Sequence, residues 1–291
     1  YFFVNRNSYW YDFSLRPPTY LSFSQLDMHF KPRGKESVLS CSPYCEDPRL
    51  FKLSSGDMYI IYNREKSHTN IKLKTKNHKM ALGLLRQVHN HFYISHDVLL
   101  ESPNKKDEWE KNWTPFEYKG QLHLIHQFEP MTVIQPNTNT GKIVSKTVVD
   151  IPLHWNYGTV RGGTQAYSYG KYYISFFHSL VESPHAKLFN RKRYYMGAIL
   201  FERVAPFKQV YITRHPVGVL KMYEDTGGHR RSAKFLKRQQ IIFPAGLAIR
   251  SDTAYVSFGF SDELNKVATI DLKKLVEAME PLGKERDAFV S

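Results

Sequence analysis

One pattern constrains this chain more than any other: turn residues followed at once by a short run of aromatic and β-branched strand formers. It reads Ser55-Gly56-Asp57-Met58-Tyr59-Ile60-Ile61-Tyr62, then Tyr118-Lys119-Gly120-Gln121-Leu122-His123-Leu124-Ile125-His126. It returns as Tyr169-Gly170-Lys171-Tyr172-Tyr173-Ile174-Ser175-Phe176 and as Arg250-Ser251-Asp252-Thr253-Ala254-Tyr255-Val256-Ser257-Phe258. Turn residues that open a strand-forming run are a hairpin signal. The copies start roughly fifty to eighty residues apart, a spacing suited to propeller blades with insertions. A jelly roll or irregular sandwich would give a similar pattern. An aromatic content of 14% leans toward strands as well.

Helical signal is thin. Asn77 to Val88 (NHKMALGLLRQV) is read as a short helix weakened by Gly83. Leu272 to Met279 is read as a helix capped by Asp271 and stopped by Pro281-Leu282-Gly283. Residues 133–150 read as a long hairpin or loop, and 183–194 and 222–240 as basic insertions. No Pro/Ser-rich linker divides the chain, so residues 1–291 are expected to form a single domain. The chain opens on Tyr1-Phe2-Phe3-Val4, which reads as the middle of a strand, so residues upstream are expected.

The formal net charge is +14, which admits nucleic acid, an anionic surface or a phosphorylated substrate as partner. The basic residues are dispersed, and the densest run, Arg230, Arg231, Lys234, Lys237 and Arg238, is interrupted by Ser, Ala, Phe and Leu. With no nucleic-acid-binding motif in the chain, this argues against nucleic acid. No apolar run is long enough to span a bilayer. Cys41 and Cys45 give neither a disulfide framework nor a metal set; their spacing permits a local bridge, but free thiols in a cytoplasmic or other reducing compartment are expected. Without a His-Glu-x-x-His or Cys-x-x-Cys pair, no metal and no cofactor is expected.

The segment Cys45-Glu46-Asp47-Pro48-Arg49-Leu50-Phe51 carries the chemistry. Pro48 is expected to hold Asp47 extended, because the residue before proline is pushed out of the helical region. That suits a carboxylate presented at a strand end, although Asp-Pro is also a common turn dipeptide.

An ordered set of motifs continues from there. It runs through Tyr62-Asn63-Arg64, Lys111-Asn112-Trp113-Thr114-Pro115-Phe116 and Leu124-Ile125-His126 to Arg161-Gly162-Gly163-Thr164, Phe177-His178 and Tyr195-Met196-Gly197-Ala198-Ile199-Leu200-Phe201-Glu202. It closes with Phe243-Pro244-Ala245-Gly246-Leu247 and Val256-Ser257-Phe258-Gly259-Phe260-Ser261-Asp262. In order and spacing this set resembles the β-mannoside phosphorylases. It is closest in style to the β-1,2-mannosyltransferase/phosphorylases that use GDP-mannose or mannose 1-phosphate. The resemblance covers roughly residues 40–272. It implies an all-β, five-bladed β-propeller and inverting β-mannosyl transfer to or from phosphate, with Asp47 as the sole catalytic acid. Arg64, Lys111 and His126 would bind phosphate, and Glu46, Arg161, His178 and Asp262 would bind sugar. The implied partners are a mannose-containing oligosaccharide and phosphate, mannose 1-phosphate or GDP-mannose. Two departures stand out. The family's first strand has no match at the start of the chain, and Met131 follows Pro130 where transferase relatives often carry a histidine.

The chemistry can also be argued without the family. Inverting hydrolysis of a glycoside needs two carboxylates, one as acid and one as base. Phosphate is already an anionic nucleophile, so phosphorolysis needs only the acid, with cations in place of the second carboxylate. Glu129 is the nearest candidate for a hydrolytic base. Arg86, on the expected helix, is a further candidate beside Arg64. Each assignment has a plainer alternative: a surface ion pair for Arg64, a solvated position for Lys111 and Arg86, a core histidine for His126, and a turn residue for Arg161, Asp262 and Glu129. The competing readings are therefore a β-mannoside hydrolase and a non-catalytic propeller that binds an anionic glycan or other polyanion.

Overall fold

The computed structural model describes residues 2–8, 19–39, 45–65, 78–89, 91–104, 110–182, 192–218, 241–261 and 264–283. Asp262, most of 183–194 and all of 222–240 lie outside them. The chain divides into two compact units, Tyr1–His126 with Val133–Lys146, and Gln127–Thr132 with Thr147–Ser291.

The first sheet joins β1 (Phe2–Ser8), β2 (Thr19–Leu26) and β3 (Pro32–Leu39) in that order. The second joins β4 (Cys45–Lys52), β5 (Met58–Glu65), β6 (His78–Val88) and β7 (His91–Leu99), also in chain order. The third is β8 (Thr114–Tyr118), β9 (Gln121–Phe128), β10 (Met131–Pro136) and β11 (Ile143–Val149). Next come β12 (Thr159–Arg161), β13 (Tyr167–Tyr169), β14 (Tyr172–Glu182), β15 (Lys192–Glu202) and β16 (Gln209–Thr213). They are followed by β17 (Ile242–Arg250), β18 (Thr253–Phe260), β19 (Leu264–Asp271), a short helix α1 (Leu272–Glu277) and β20 (Met279–Pro281). β20 returns to pair with β16, so the fourth sheet runs β12-β14-β15-β16-β20 with β13 also on β14, and β17-β18-β19 form the fifth.

All four turn–strand copies are hairpins: β4–β5, β8–β9, β13–β14 and β17–β18. The architecture is all-β and of the propeller class. Among the described residues the blade-like repeat occurs four times, not the expected five. Among the described residues the sheets are unequal, with three, four, four, six and three strands in chain order.

The expected helix over Asn77 to Val88 is instead β6. Its apolar run is buried on both faces, and strand pairing to β5 and β7 overrides helix propensity. Gly83, read as a weak point of a helix, is a packing site: a Cβ there would stand 3.0 Å from Cγ2 of both Ile60 and Ile94. The C-terminal helix forms as expected, with Asp271 Oδ1 accepting from Lys274 N, but it ends at Glu277, two residues short, and Met279 begins β20. Within 133–150 the chain makes the β10–β11 hairpin, whose turn is closed by Asn137 Oδ1 accepting from the amides of Asn139 and Thr140.

In the first unit the second sheet is covered on both sides. Ile61 of β5 joins a cluster with Met80, Leu82, Trp113, Leu122 and Leu124. Its neighbours Ile60 and Tyr62 join Leu21, Phe23, Leu39 and Ala81 on the other face. The second unit has its own core, built on Ile174, Phe176, Met196, Ala198, Leu200, Val256 and Leu272. No helix among the described residues is long and apolar enough to cross a membrane.

Candidate active site

Asp47 sits on a β-bulge. Glu46 pairs with Asn63 and Arg49 with Ile61, so the ladder between β4 and β5 skips Asp47 and Pro48. Asp47 has φ 51°, a left-handed conformation, not the extended one that a following proline favours. A non-glycine residue there carries strain of about 1–3 kcal/mol, which surrounding structure must hold in place. What holds it is Arg49, whose side chain is buried at 1% exposure. Its Nη1 donates to the Asp47 carbonyl at 3.0 Å and its Nη2 to Asn112 Oδ1 at 3.1 Å. Burial pushes the Arg49 guanidinium down to about 10, against the opposing pull of the Asp47 charge.

The segment before β8 reaches the same region. Lys111 Nζ donates to Glu46 Oε2 at 3.3 Å. Glu110 accepts from His126 Nε2 at 2.9 Å and from Trp113 Nε1 at 3.1 Å, both at Oε2, while Ser102 donates to Oε1. Its backbone carbonyl accepts from Asn63 Nδ2, and Asn63 Oδ1 contacts His78 Nδ1. Burial disfavours the Glu110 carboxylate, but the bonds from His126, Ser102 and Trp113 outweigh it and hold the group below its ordinary value. Nε2 of His126 donates to the carboxylate. The other ring nitrogen, Nδ1, is buried with no hydrogen-bond partner among the described residues.

The expected residues are therefore partly assembled. Glu46, Asp47, Lys111 and His126 all lie in the first unit: Glu46 pairs with Lys111, Arg49 ties the Asp47 carbonyl to Asn112, and Glu110 holds His126, three contact sets joined through the consecutive residues Glu110, Lys111 and Asn112. Arg64 does not join it: it is adjacent to Asn63 on β5 and projects from the opposite face, where it pairs with Asp97 Oδ2 at 2.7 Å. Tyr62 Oη donates to the same oxygen at 2.7 Å. Convergence of Arg64 with Lys111 and His126 on one anion is thus not what these contacts describe. The physical reason is strand alternation, which sends neighbouring side chains to opposite faces. Arg86, expected on a helix, is an exposed strand residue paired with Asp57 at 3.0 Å.

Arg161 and His178 lie in the second unit and face each other in register across β12 and β14. Arg161 is exposed; His178 is buried, its ring 4.7 Å from that of Phe243 and stacked 5.4 Å from that of Tyr194. The close approach expected at Gly162-Gly163 is to the protein itself, since a Cβ on Gly163 would lie 2.3 Å from the Phe176 carbonyl oxygen. Glu129 is exposed and accepts from the Leu153 amide at 3.1 Å. Asp262 lies outside the described residues.

Sequence reasoning gave no role to Arg49, Glu110, Asn63 or Asn112. Arg49 stood within the quoted acid motif, and an arginine directly after the Asp-Pro pair was the available signal. Glu110 had none, because it reads as one more charge in a charged run. Cys45 is disulfide-bonded, which overturns the expectation of free thiols.

No protein-family model matches the chain, and no curated protein matches it. Solved structures do. The β-1,2-mannobiose phosphorylase from Listeria innocua, in complex with β-1,2-mannobiose, aligns at TM-score 0.58 and 12% identity over 89% of this chain and 69% of that one. A glycosyl hydrolase from Bacteroides ovatus aligns at TM-score 0.55 and 12% identity, over 88% of this chain and 81% of that one. A third structure belongs to the GH130 family of mannoside phosphorylases, which contains glycoside hydrolases that target β-1,2 mannosidic linkages in Candida mannan. It aligns at TM-score 0.52 and 13% identity, over 88% of this chain and 81% of that one. The chain has the fold of the mannoside phosphorylases.

Proposed function

We propose that this protein is a glycan-processing enzyme acting on β-mannosides, and that it transfers a mannosyl group to or from phosphate with Asp47 as its one general acid/base. The observation that carries the reading is the mounting of Asp47: a half-buried residue on a strained bulge, tied through Arg49 to Asn112, the neighbour of Lys111. In the breakdown direction phosphate oxygen attacks the anomeric carbon, the glycosidic C–O bond breaks with inversion, and the Asp47 proton goes to the leaving oxygen. In synthesis the same carboxylate takes the proton of the acceptor hydroxyl as phosphate or a nucleoside diphosphate departs. Lys111 is the candidate cation for the anion, and His126, whose Nε2 donates to Glu110, is a donor to it from Nδ1 in its imidazolium form. Glu46 is proposed at the sugar beside Lys111, and Arg161, His178 and Asp262 remain proposed sugar contacts. Arg64 is proposed for the phosphate only if it leaves Asp97.

The charge balance supports a modest rather than a deep anion trap. Lys111, Arg64 and His126 each already face a carboxylate: Glu46, Asp97 and Glu110. The test is to incubate the protein with β-1,2-mannobiose with and without phosphate, and separately with GDP-mannose or mannose 1-phosphate plus a mannose acceptor. Mass spectrometry of the products decides. Mannose 1-phosphate or a lengthened oligosaccharide is the expected result. Free mannose released at an equal rate without phosphate replaces the reading with hydrolysis, and no turnover in any arm removes it.

A further inference from the structure

We propose that Arg49 is the positioning residue of the acid, a clasp that fixes Asp47 and the Lys111 segment to each other. The inference rests on the reading of Asp47 as general acid.

Three observations carry it. First, the bulge withdraws Asp47 and Pro48 from the β4–β5 ladder, and Pro48 has no N–H with which to rejoin it. The Arg49 side chain supplies a hydrogen bond to the Asp47 carbonyl in the place of a strand neighbour. Second, the other end of the same guanidinium holds Asn112, which is itself left-handed at φ 63°. Two strained non-glycine residues on separate segments are thus bridged by one planar, buried cation. A guanidinium has donors in a fixed fork, so it sets a distance and an angle that an ammonium does not. Third, the residues flanking the clasped pair are the ion pair Glu46–Lys111. Arg49 therefore ties the residue that would move the proton to the neighbour of the cation that would hold the anion, and it registers one segment against the other.

A positioning role predicts a particular pattern of loss. Arg49→Ala should lower kcat about 10- to 100-fold with KM for the mannoside little changed, since misplacement by an ångström costs rate before binding. Millimolar guanidinium should restore part of that rate by refilling the fork, and ammonium should restore less. Asn112→Ala keeps the buried charge and cuts one arm of the clasp; it should lower kcat severalfold, and the double variant should be no slower than Arg49→Ala. If Arg49→Ala does not fold, Asn112→Ala decides alone. Unchanged kcat in Asn112→Ala, strictly multiplicative losses in the double variant, or equal rescue by ammonium and guanidinium would each overturn the clasp. Asp47→Asn run in parallel separates the two ideas. If that variant is dead while Arg49 and Asn112 variants keep full kcat, the clasp falls and the acid stands; if Asp47→Asn stays active, the acid falls.

Discussion

Glu110→Gln is the most informative perturbation of stability. The Glu110 side chain is 5% exposed and accepts from His126, Trp113 and Ser102. Glutamine keeps the shape and one acceptor oxygen but loses the charge. A hydrogen bond to a charged group contributes about 1.5–3 kcal/mol and a neutral one about 0.5–1.5, so three bonds lose roughly 3 kcal/mol between them. Relief from burying a carboxylate offsets part of this, which leaves an expected loss of about 2 kcal/mol near pH 7. Urea denaturation at constant slope should then show a lower midpoint. The pH dependence gives a second reading. The folded carboxyl lies below its ordinary value, so its contribution is fully present above the unfolded pKa of about 4.3 and is lost as pH falls through the lowered folded value. The gap between wild type and Glu110→Gln should be wide at pH 7 and close as the pH drops well below 4. A gap that is absent at pH 7, or that persists unchanged at low pH, would refute the assignment of Glu110 as an ionised hub.

Asp47→Asn should abolish turnover, by roughly a hundred- to ten-thousandfold, while circular dichroism and the unfolding midpoint stay close to wild type; steady-state rates near normal would remove Asp47 from the mechanism. Lys111→Ala should raise the concentration of phosphate or sugar nucleotide needed for half-maximal rate, and Arg64→Ala should do so much less because Arg64 is spent on Asp97; initial-rate kinetics against the anion separate the two. Gly197→Ala should destabilise the second unit by about 1–3 kcal/mol, because the new Cβ would lie 2.2 Å from Cζ of the buried Phe177; a thermal unfolding scan checks it.

The strand content was legible because its signal is local. Each of the four hairpins has turn residues next to strand formers, and each forms. β6 was misread because MALGLL is apolar at every position, and a strand buried on both faces has no alternation to distinguish it from a helix. The acid motif was legible as a string, but its geometry was not. The rule that a residue before proline is extended is a preference, and here a bulge with a buried arginine overrides it. Arg64 shows the other limit. Sequence reading ranked it beside Lys111 and His126 by charge, whereas the face it takes depends on register, which pairing with β4 and β6 sets.

The double cladding of β5 has a consequence for how the chain can drift. In a sheet with one wet face, half the positions change freely. Here Ile60 and Tyr62 answer to Leu21 and Phe23, and Ile61 answers to Trp113 and Leu124. A substitution in this strand must be matched in the neighbouring sheet on whichever side it falls. Such a strand should diverge slowly and in concert with its neighbours, while the hairpin tips around it are left to take up the variation.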